Sequence, residues 1–153
     1  MSAVVERLRA AGLELPPLRP KAGRYRGYVQ AGELLFLSGQ GADGHVGRVG
    51  ADLDLEAGRA AARDCMLNLL AQTEDALGSL DAVERVVKVL GFVACSEDFR
   101  DLPAVIDGAS DVLHLAFGEE RGAHARAAIG AQALPLGFAV EIEMVVLTKG
   151  DRK

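Results

Sequence analysis

The sequence predicts an α+β domain in which a mixed β-sheet carries two helices packed on one face. Two observations lead to this prediction. Short β-favouring runs and amphipathic helical runs follow one another in the order ββαβαββ. The chain also shows no internal repeat and no linker that would divide it. We therefore expect a single domain over residues 1–153, with residues 1–22 forming an N-terminal helix and an extended arm.

The composition restricts the partners that this chain of 153 residues can bind. Its formal charge is −5 and its pI is about 5.2, and no long basic cluster stands out, which argues against nucleic acid and anionic membranes as partners. No apolar run approaches the ~18 residues of a membrane span. Charged residues stand near the N-terminus, where a secretion signal would be apolar. We expect a cytoplasmic protein that binds small molecules or other protein chains.

The N-terminal third is predicted to contain a helix, an arm and two strands. Apolar residues at helical spacing favour a short helix over residues 2–12. The proline-rich stretch 16–20 then enforces an extended arm. The runs 24–31 and 34–38 flank Gly32 and Glu33, which suits two strands joined by a tight turn. The glycine-rich stretch that follows, 39–50, is predicted to be loop.

A long helix and a central strand form the middle of the chain. Asp54 is a candidate N-cap, apolar residues then recur at helical spacing, and Gly78 stops the helix. Cys65 lies on the apolar stripe of this helix and is predicted to be a core residue. The nearly continuous apolar run 86–94 is typical of a strand in the interior of a sheet.

A second helix and two strands complete the predicted fold. The helix spans about 102–115 and ends near Phe117 and Gly118. The runs 125–133 and 138–147 are predicted to be strands. Because only residues 134–137 separate these runs, we expect an antiparallel hairpin centred on Leu136.

The last strand indicates that one sheet face needs a partner. Val140, Ile142 and Met144 share one side of the strand, and Glu141 and Glu143 share the other. Two helices can cover only one face of the sheet. Apolar residues of the other strands would then be exposed on the opposite face, so we expect a second chain to cover it.

Four short segments carry a resemblance to a known family. Over about residues 23–147 they occur in the order and spacing of the reactive intermediate deaminase family, RidA or YjgF, which the chain therefore resembles. The segments are Gly23-Arg24-Tyr25, Leu37-Ser38-Gly39-Gln40, Ala125-Arg126 followed by Leu134-Pro135, and Val140-Glu141-Ile142-Glu143. The resemblance implies a chorismate-mutase-like fold and a homotrimer with sites in the clefts between subunits. It also implies hydrolysis of reactive enamines and imines, such as 2-aminoacrylate, to a 2-keto acid and ammonia, without a cofactor.

The resemblance assigns the two catalytic roles to Arg126 and Glu141. A guanidinium at Arg126 suits the substrate carboxylate because the two can pair through two parallel hydrogen bonds. Glu141 would orient the attacking water, provided that a dry cleft adjusts its pKa. The alternatives are a surface arginine on a strand and a solvated acidic pair of Glu141 with Glu143. The remaining expected substrate-binding residues are Tyr25, Ser38, Gly39, His124, Ala127 and Ala128.

The sequence around the arginine departs from the main branch of the family. That branch has proline two residues before the arginine, whereas this chain has His124, and a small polar residue follows the arginine where this chain has Ala127. The chain therefore resembles a divergent branch with His-Ala-Arg, in which His124 adds a titrating group or has a structural role. Neither the histidines nor Cys65 and Cys95 are grouped at metal-ligand spacing, so we expect no metal site.

The sequence favours one function, leaves a second open and disfavours a third. The leading one is an enamine or imine deaminase, and the alternative is a non-catalytic trimer that binds 2-keto acids through Arg126. Ribonuclease activity, also associated with the family, is disfavoured by the acidic charge. In the expected hairpin, Arg126 lies opposite Val146, on the order of 16 Å along the strand from Glu141. A site that uses both residues would then combine two protomers.

Overall fold

The computed structural model describes residues 2–150 and confirms the predicted α+β class. Met1 and residues 151–153 of the expected domain lie outside the described residues. The elements are α1 (Ala3–Ala10), β1 (Tyr28–Ala31), β2 (Leu34–Gln40), α2 (Leu55–Leu77), β3 (Val83–Ala94), α3 (Leu102–Arg121), β4 (Ala125–Ala131) and β5 (Val140–Thr148), with 3-10 turns at Leu80–Ala82 and Pro135–Gly137. The strands form one mixed sheet in the order β1-β2-β5-β3-β4.

The ends of the two long helices follow from their capping residues. Asp54 accepts a hydrogen bond from the backbone N–H of Ala57 at 2.8 Å, as expected of an N-cap. Gly78 ends α2 in the left-handed region, at φ 79°. The helix α3 is longer than the sequence predicts. Gly118 interrupts its geometry with φ 84° and ψ 174°, close to the predicted end, but helical hydrogen bonding resumes and continues to Arg121.

Both long helices pack on the same sheet face, as predicted, and two glycines bring the layers close together. A Cβ on Gly108 of α3 would lie 2.2 Å from the backbone oxygen of Arg59 on α2. A Cβ on Gly91 of β3 would lie 2.5 Å from Ile106 Cδ1 of α3. The core between the layers is almost entirely aliphatic, and Cys65 is fully buried in it, as predicted.

The predicted hairpin between the last two strands is wrong. The strand β4 pairs parallel with β3, whereas β5 lies between β2 and β3 and is antiparallel to both. The physical reason is burial. Ile142 and Val146 of β5 are fully buried, as expected of a strand with neighbours on both sides. The strand β4 consists mostly of alanine and glycine and occupies the sheet edge, where little apolar surface needs covering.

The face of the sheet opposite the helices is apolar and exposed; it is called the open face below. Val29, Phe36 and Ile129 are 52%, 45% and 44% exposed, respectively. Val29 is in register with Phe36, and Phe36 with Val145, so these side chains form a row across three strands. The expectation of an uncovered apolar face is confirmed, while the partner that covers it stays a prediction. None of the helices within residues 2–150 has the length and apolar character that crossing a bilayer requires.

Candidate functional site

A bulge in β2 brings Gly39 against Glu141. The register between β2 and β5 shifts after the Leu37–Met144 pair, so that Gln40 pairs with Ile142. A Cβ on Gly39 would lie only 3.1 Å from Glu141 Cδ and 3.4 Å from its Oε1. Because Gly39 has no side chain, the carboxylate can lie directly on the β2 backbone.

The environment of Glu141 makes its carboxylate a stronger base than an exposed one. Glu141 is half-buried on the open face, and burial raises its pKa. The neighbouring charge of Glu143, which is exposed on the same face, raises the pKa further. A carboxylate with a raised pKa is suited to accept a proton from water near neutral pH.

Ser38 and Tyr25 lie at the corner of the sheet that contains Gly39 and Glu141, called the Glu141 corner below, but their hydroxyls contact the backbone. Ser38 Oγ donates to the backbone oxygen of Arg26 at 2.6 Å, and Ser38 N–H donates to Gly27 O at 2.9 Å. Tyr25 is 46% exposed, and its hydroxyl accepts from Ala22 N–H at 3.3 Å. Ser38 therefore fixes the segment that carries Tyr25, and its hydroxyl proton is engaged within the chain.

Arg126 on β4 reaches to α3 on the helix side of the sheet. Its Nη1 donates to Asp107 Oδ1 at 2.7 Å and to Ser110 Oγ at 3.0 Å. Its Nη2 donates to the backbone oxygen of Pro103 at 3.3 Å. The Arg126 side chain is 21% exposed and that of Asp107 is 50% exposed. The guanidinium therefore already has a carboxylate partner, but part of its edge remains open to a ligand.

His124 joins this cluster through Ser110. Its Nδ1 lies 2.6 Å from Gly122 O, and since a carbonyl only accepts, Nδ1 carries the proton. Nε2 then accepts from Ser110 Oγ at 2.9 Å, leaving that oxygen free to accept from Arg126. Burial lowers the pKa of His124, and the nearby charges of His114 and Arg126 lower it further. The hydrogen bond to Gly122 raises the pKa but does not offset these effects. His124 is therefore neutral and contacts Ser110.

Ala127 and Ala128 lie on opposite faces of the edge strand. Ala128 is in register with the buried Gly91 and packs on the core, on the same side as Arg126. Ala127 is in register with Leu90 and faces the open side. Only one of these two expected substrate-binding residues thus shares a face with Glu141.

Arg126 and Glu141 do not meet within one chain. Arg126 is in register with Val89 and Val89 with Met144, so Glu141 lies two strands away and three residues along β5. At ~3.3 Å per residue and about 4.8 Å between strands, the backbones are about 14 Å apart. The two side chains also point to opposite faces of the sheet. The register differs from the expected hairpin, but the expectation that one chain cannot bring both groups to a small substrate is unchanged.

Sequence reasoning missed Asp107 and Ser110 as partners of Arg126. The two residues lie three positions apart on α3 and therefore share a helix face, which was the available signal. Their partner could not be identified because β4 reaches α3 only through its pairing with β3. Among residues 2–150, no group of three or more histidine, cysteine and acidic side chains could hold a metal ion.

Comparison with known proteins identifies the family. The family model described as "YjgF/chorismate_mutase-like, putative endoribonuclease" matches residues 5–146. The chain belongs to this family. The fold is the expected chorismate-mutase-like one, and proteins of the YjgF family are generally oligomers that bind small molecules.

Three relatives of this YjgF-family chain are similar over nearly their full length. Protein TCP17 of Trypanosoma cruzi is 43% identical over 148 residues, which cover 94% of this chain and 92% of TCP17. The structure of Atu1372 from Agrobacterium tumefaciens, of unknown function, is 37% identical with a TM-score of 0.89, covering 95% of this chain and 92% of that one. A structure from Shewanella oneidensis MR-1, which also carries the endoribonuclease description, is 32% identical with a TM-score of 0.91, covering 95% and 99%.

Proposed function

We propose that this protein is a hydrolase that deaminates small reactive enamines and imines bearing a carboxylate, releasing a 2-keto acid and ammonia. The observation that carries the proposal is Glu141, a half-buried carboxylate with a raised pKa, held against Gly39 on the open face. Burial as the main cause of the raised pKa supports the catalytic role over a fully solvated acidic pair with Glu143.

In the proposed reaction, Glu141 accepts a proton from water as the water oxygen bonds to the imine carbon. With the imine nitrogen protonated at the outset, the addition gives a neutral carbinolamine. Glu141 returns its proton to the carbinolamine nitrogen, the C–N bond breaks as the C=O bond forms, and the hydroxyl proton passes to the Glu141 carboxylate as ammonia leaves. Arg126 holds the substrate carboxylate by the edge that Asp107 and Ser110 leave open. Tyr25 and Gly39 line the side of the substrate cleft that contains Glu141, and Ala127 of a neighbouring protomer faces that side.

The proposed site requires more than one chain, and we propose a homotrimer. The open face provides apolar surface for assembly, and Arg126 and Glu141 are about 14 Å apart and on opposite faces within a chain. In a cyclic trimer, Arg126 of one protomer and Glu141 of the next can line the same cleft. The substrate-binding roles of Ser38, Ala128 and His124 become positioning roles, since the contacts of these residues lie within the chain.

One observation favours a second candidate, a non-catalytic trimer that binds 2-keto acids. Arg126 is already paired with Asp107, so its positive charge is partly neutralised before any ligand arrives. Weak, reversible binding of a carboxylate metabolite would suit such a site. The endoribonuclease named for the relatives is a poorer match, because the chain has a net charge of −5.

Imines generated in situ by an amino-acid oxidase provide the test, with ammonia release as the readout. Glu141→Gln should abolish turnover and leave 2-keto acid binding intact. Glu143→Gln is the matched control, because Glu143 lies two positions along the same strand and face but is exposed. Loss of turnover in both variants, or in neither, would refute the role of Glu141. Carboxylate binding without turnover in the wild type would leave the binding protein as the function.

A further inference from the structure

A cleft of about 360 Å³ lies between the N-terminal arm, β1 and α2, away from Arg126. Its lining includes three cationic side chains and one carboxylate, together with a tyrosine and a glutamine. They are Arg19, Lys21, Arg26, Asp75, Tyr28 and Gln72. The arm is locally basic although the whole chain is acidic.

The charges in this cleft are only partly paired. Arg19 pairs with Asp43 at 2.8 Å, which holds the arm in place. The Asp75 carboxylate accepts from the Tyr28 hydroxyl at 3.1 Å. Lys21 and Arg26 form no ion pair with any carboxylate of residues 2–150. The cleft therefore contains two cations that form no direct ion pair, and one carboxylate, Asp75, that bonds to Tyr28.

Gln72 provides an independent indication of a ligand. The residue is only 7% exposed and lines the cleft, yet its amide forms no hydrogen bond with any described residue. The Gln72 amide is therefore available to bond a molecule in the cleft. Gly27 makes this position possible, because a Cβ there would lie 2.6 Å from Gln72 Oε1. The fold thus places an unpartnered amide beside two unpaired cations.

From this arrangement, we propose that the cleft binds a small anion, a carboxylate or phosphate group. Lys21 and Arg26 supply the positive charge and the Gln72 amide donates a hydrogen bond. The segment from Arg24 to Tyr28 separates this cleft from the Glu141 corner. Arg26 lines the cleft, while its backbone oxygen accepts from Ser38. The anion site is distinct from the proposed catalytic site, so it does not depend on the proposed function.

The test is titration of the full-length protein with inorganic phosphate and, separately, with acetate at constant ionic strength. Backbone amide shifts in NMR spectra provide the readout. We expect saturable shifts around Gly27 and Gln72, and the tighter of the two anions identifies the preferred group. The double variant Lys21→Gln/Arg26→Gln should weaken binding at least tenfold. Arg100→Gln is the matched control, because Arg100 is exposed and bonds only to backbone oxygens of its own loop.

Gln72→Leu separates an anion site from a structural glutamine. The leucine has a similar size and no amide, so the variant should bind the anion several-fold more weakly, with a Tm in anion-free buffer equal to or above that of the wild type. Non-saturating shifts with both anions, equal losses in Arg100→Gln, or unchanged binding in Gln72→Leu would each overturn the proposal. Binding of an RNA oligonucleotide to this segment without binding of either small anion would overturn it as well.

Discussion

Removing the carboxylate of Asp107 should tighten the binding of 2-keto acids. Asp107 Oδ1 lies 2.7 Å from Arg126 Nη1 and therefore competes with a ligand carboxylate for the same guanidinium. With charge centres roughly 4 Å apart, the interaction is about 1 kcal/mol in water and ~4 kcal/mol at an intermediate dielectric constant. Because Asp107 is 50% exposed, the low end applies, and about 1 kcal/mol corresponds to roughly a fivefold lower Kd.

Isothermal titration calorimetry with pyruvate on Asp107→Asn checks this value. Ser110 Oγ and Pro103 O still hold the guanidinium in the variant, so its position is retained. Asp111→Asn is the control, because Asp111 lies one turn along the same helix and pairs with Arg59. A Kd for Asp107→Asn that is unchanged or higher than that of the wild type would refute the view that Asp107 competes with the ligand.

Three further changes test other parts of the structure. Arg126→Lys should fail to restore carboxylate binding lost in Arg126→Ala, because a point charge cannot form the two-pronged contact, and near-normal binding in titrations would contradict this. As pH rises from the ordinary carboxyl pKa through the raised pKa of Glu141, Glu141→Gln should become more stable relative to the wild type, because only the wild type must ionise a half-buried carboxyl. Urea unfolding at pH 4 and pH 7 measures this difference in the free energy of unfolding. Gly108→Ala should destabilise the fold by about 1–3 kcal/mol, because the new Cβ would lie 2.2 Å from the Arg59 backbone oxygen, and an unchanged urea midpoint would show that α2 and α3 are not in close contact.

Local patterns in the sequence were sufficient to predict the elements and the layer arrangement. Asp54 and Gly78 delimit α2 because capping depends on residues close in sequence. The alternation in β5 indicated which side of the strand is buried. The neighbours of a strand depend on which apolar surfaces need covering across the whole sheet, and the short link at 134–137 suggested a hairpin that does not form.

The candidate site was predictable to a similar extent. Motif spacing indicated Arg126 and Glu141, but the in-chain partner of Arg126, Asp107, becomes apparent only once β4 is parallel to β3. Gly39 was an expected substrate-binding residue, whereas in the structure the space beside it is occupied by the Glu141 carboxylate. The motif spacing therefore indicated the site residues, whereas their partners depend on contacts between elements that are distant in the sequence.

A mixing experiment tests most directly whether two protomers build one catalytic site. Arg126→Ala chains and Glu141→Gln chains, each inactive alone, are unfolded and refolded together, and ammonia release from an imine is measured. Random assortment gives roughly a quarter of interfaces with an intact Arg126 from one protomer and an intact Glu141 from the next. A site shared between protomers should give about a quarter of wild-type activity in the mixture. Mixed trimers, verified by mass spectrometry, that remain inactive would contradict the shared site.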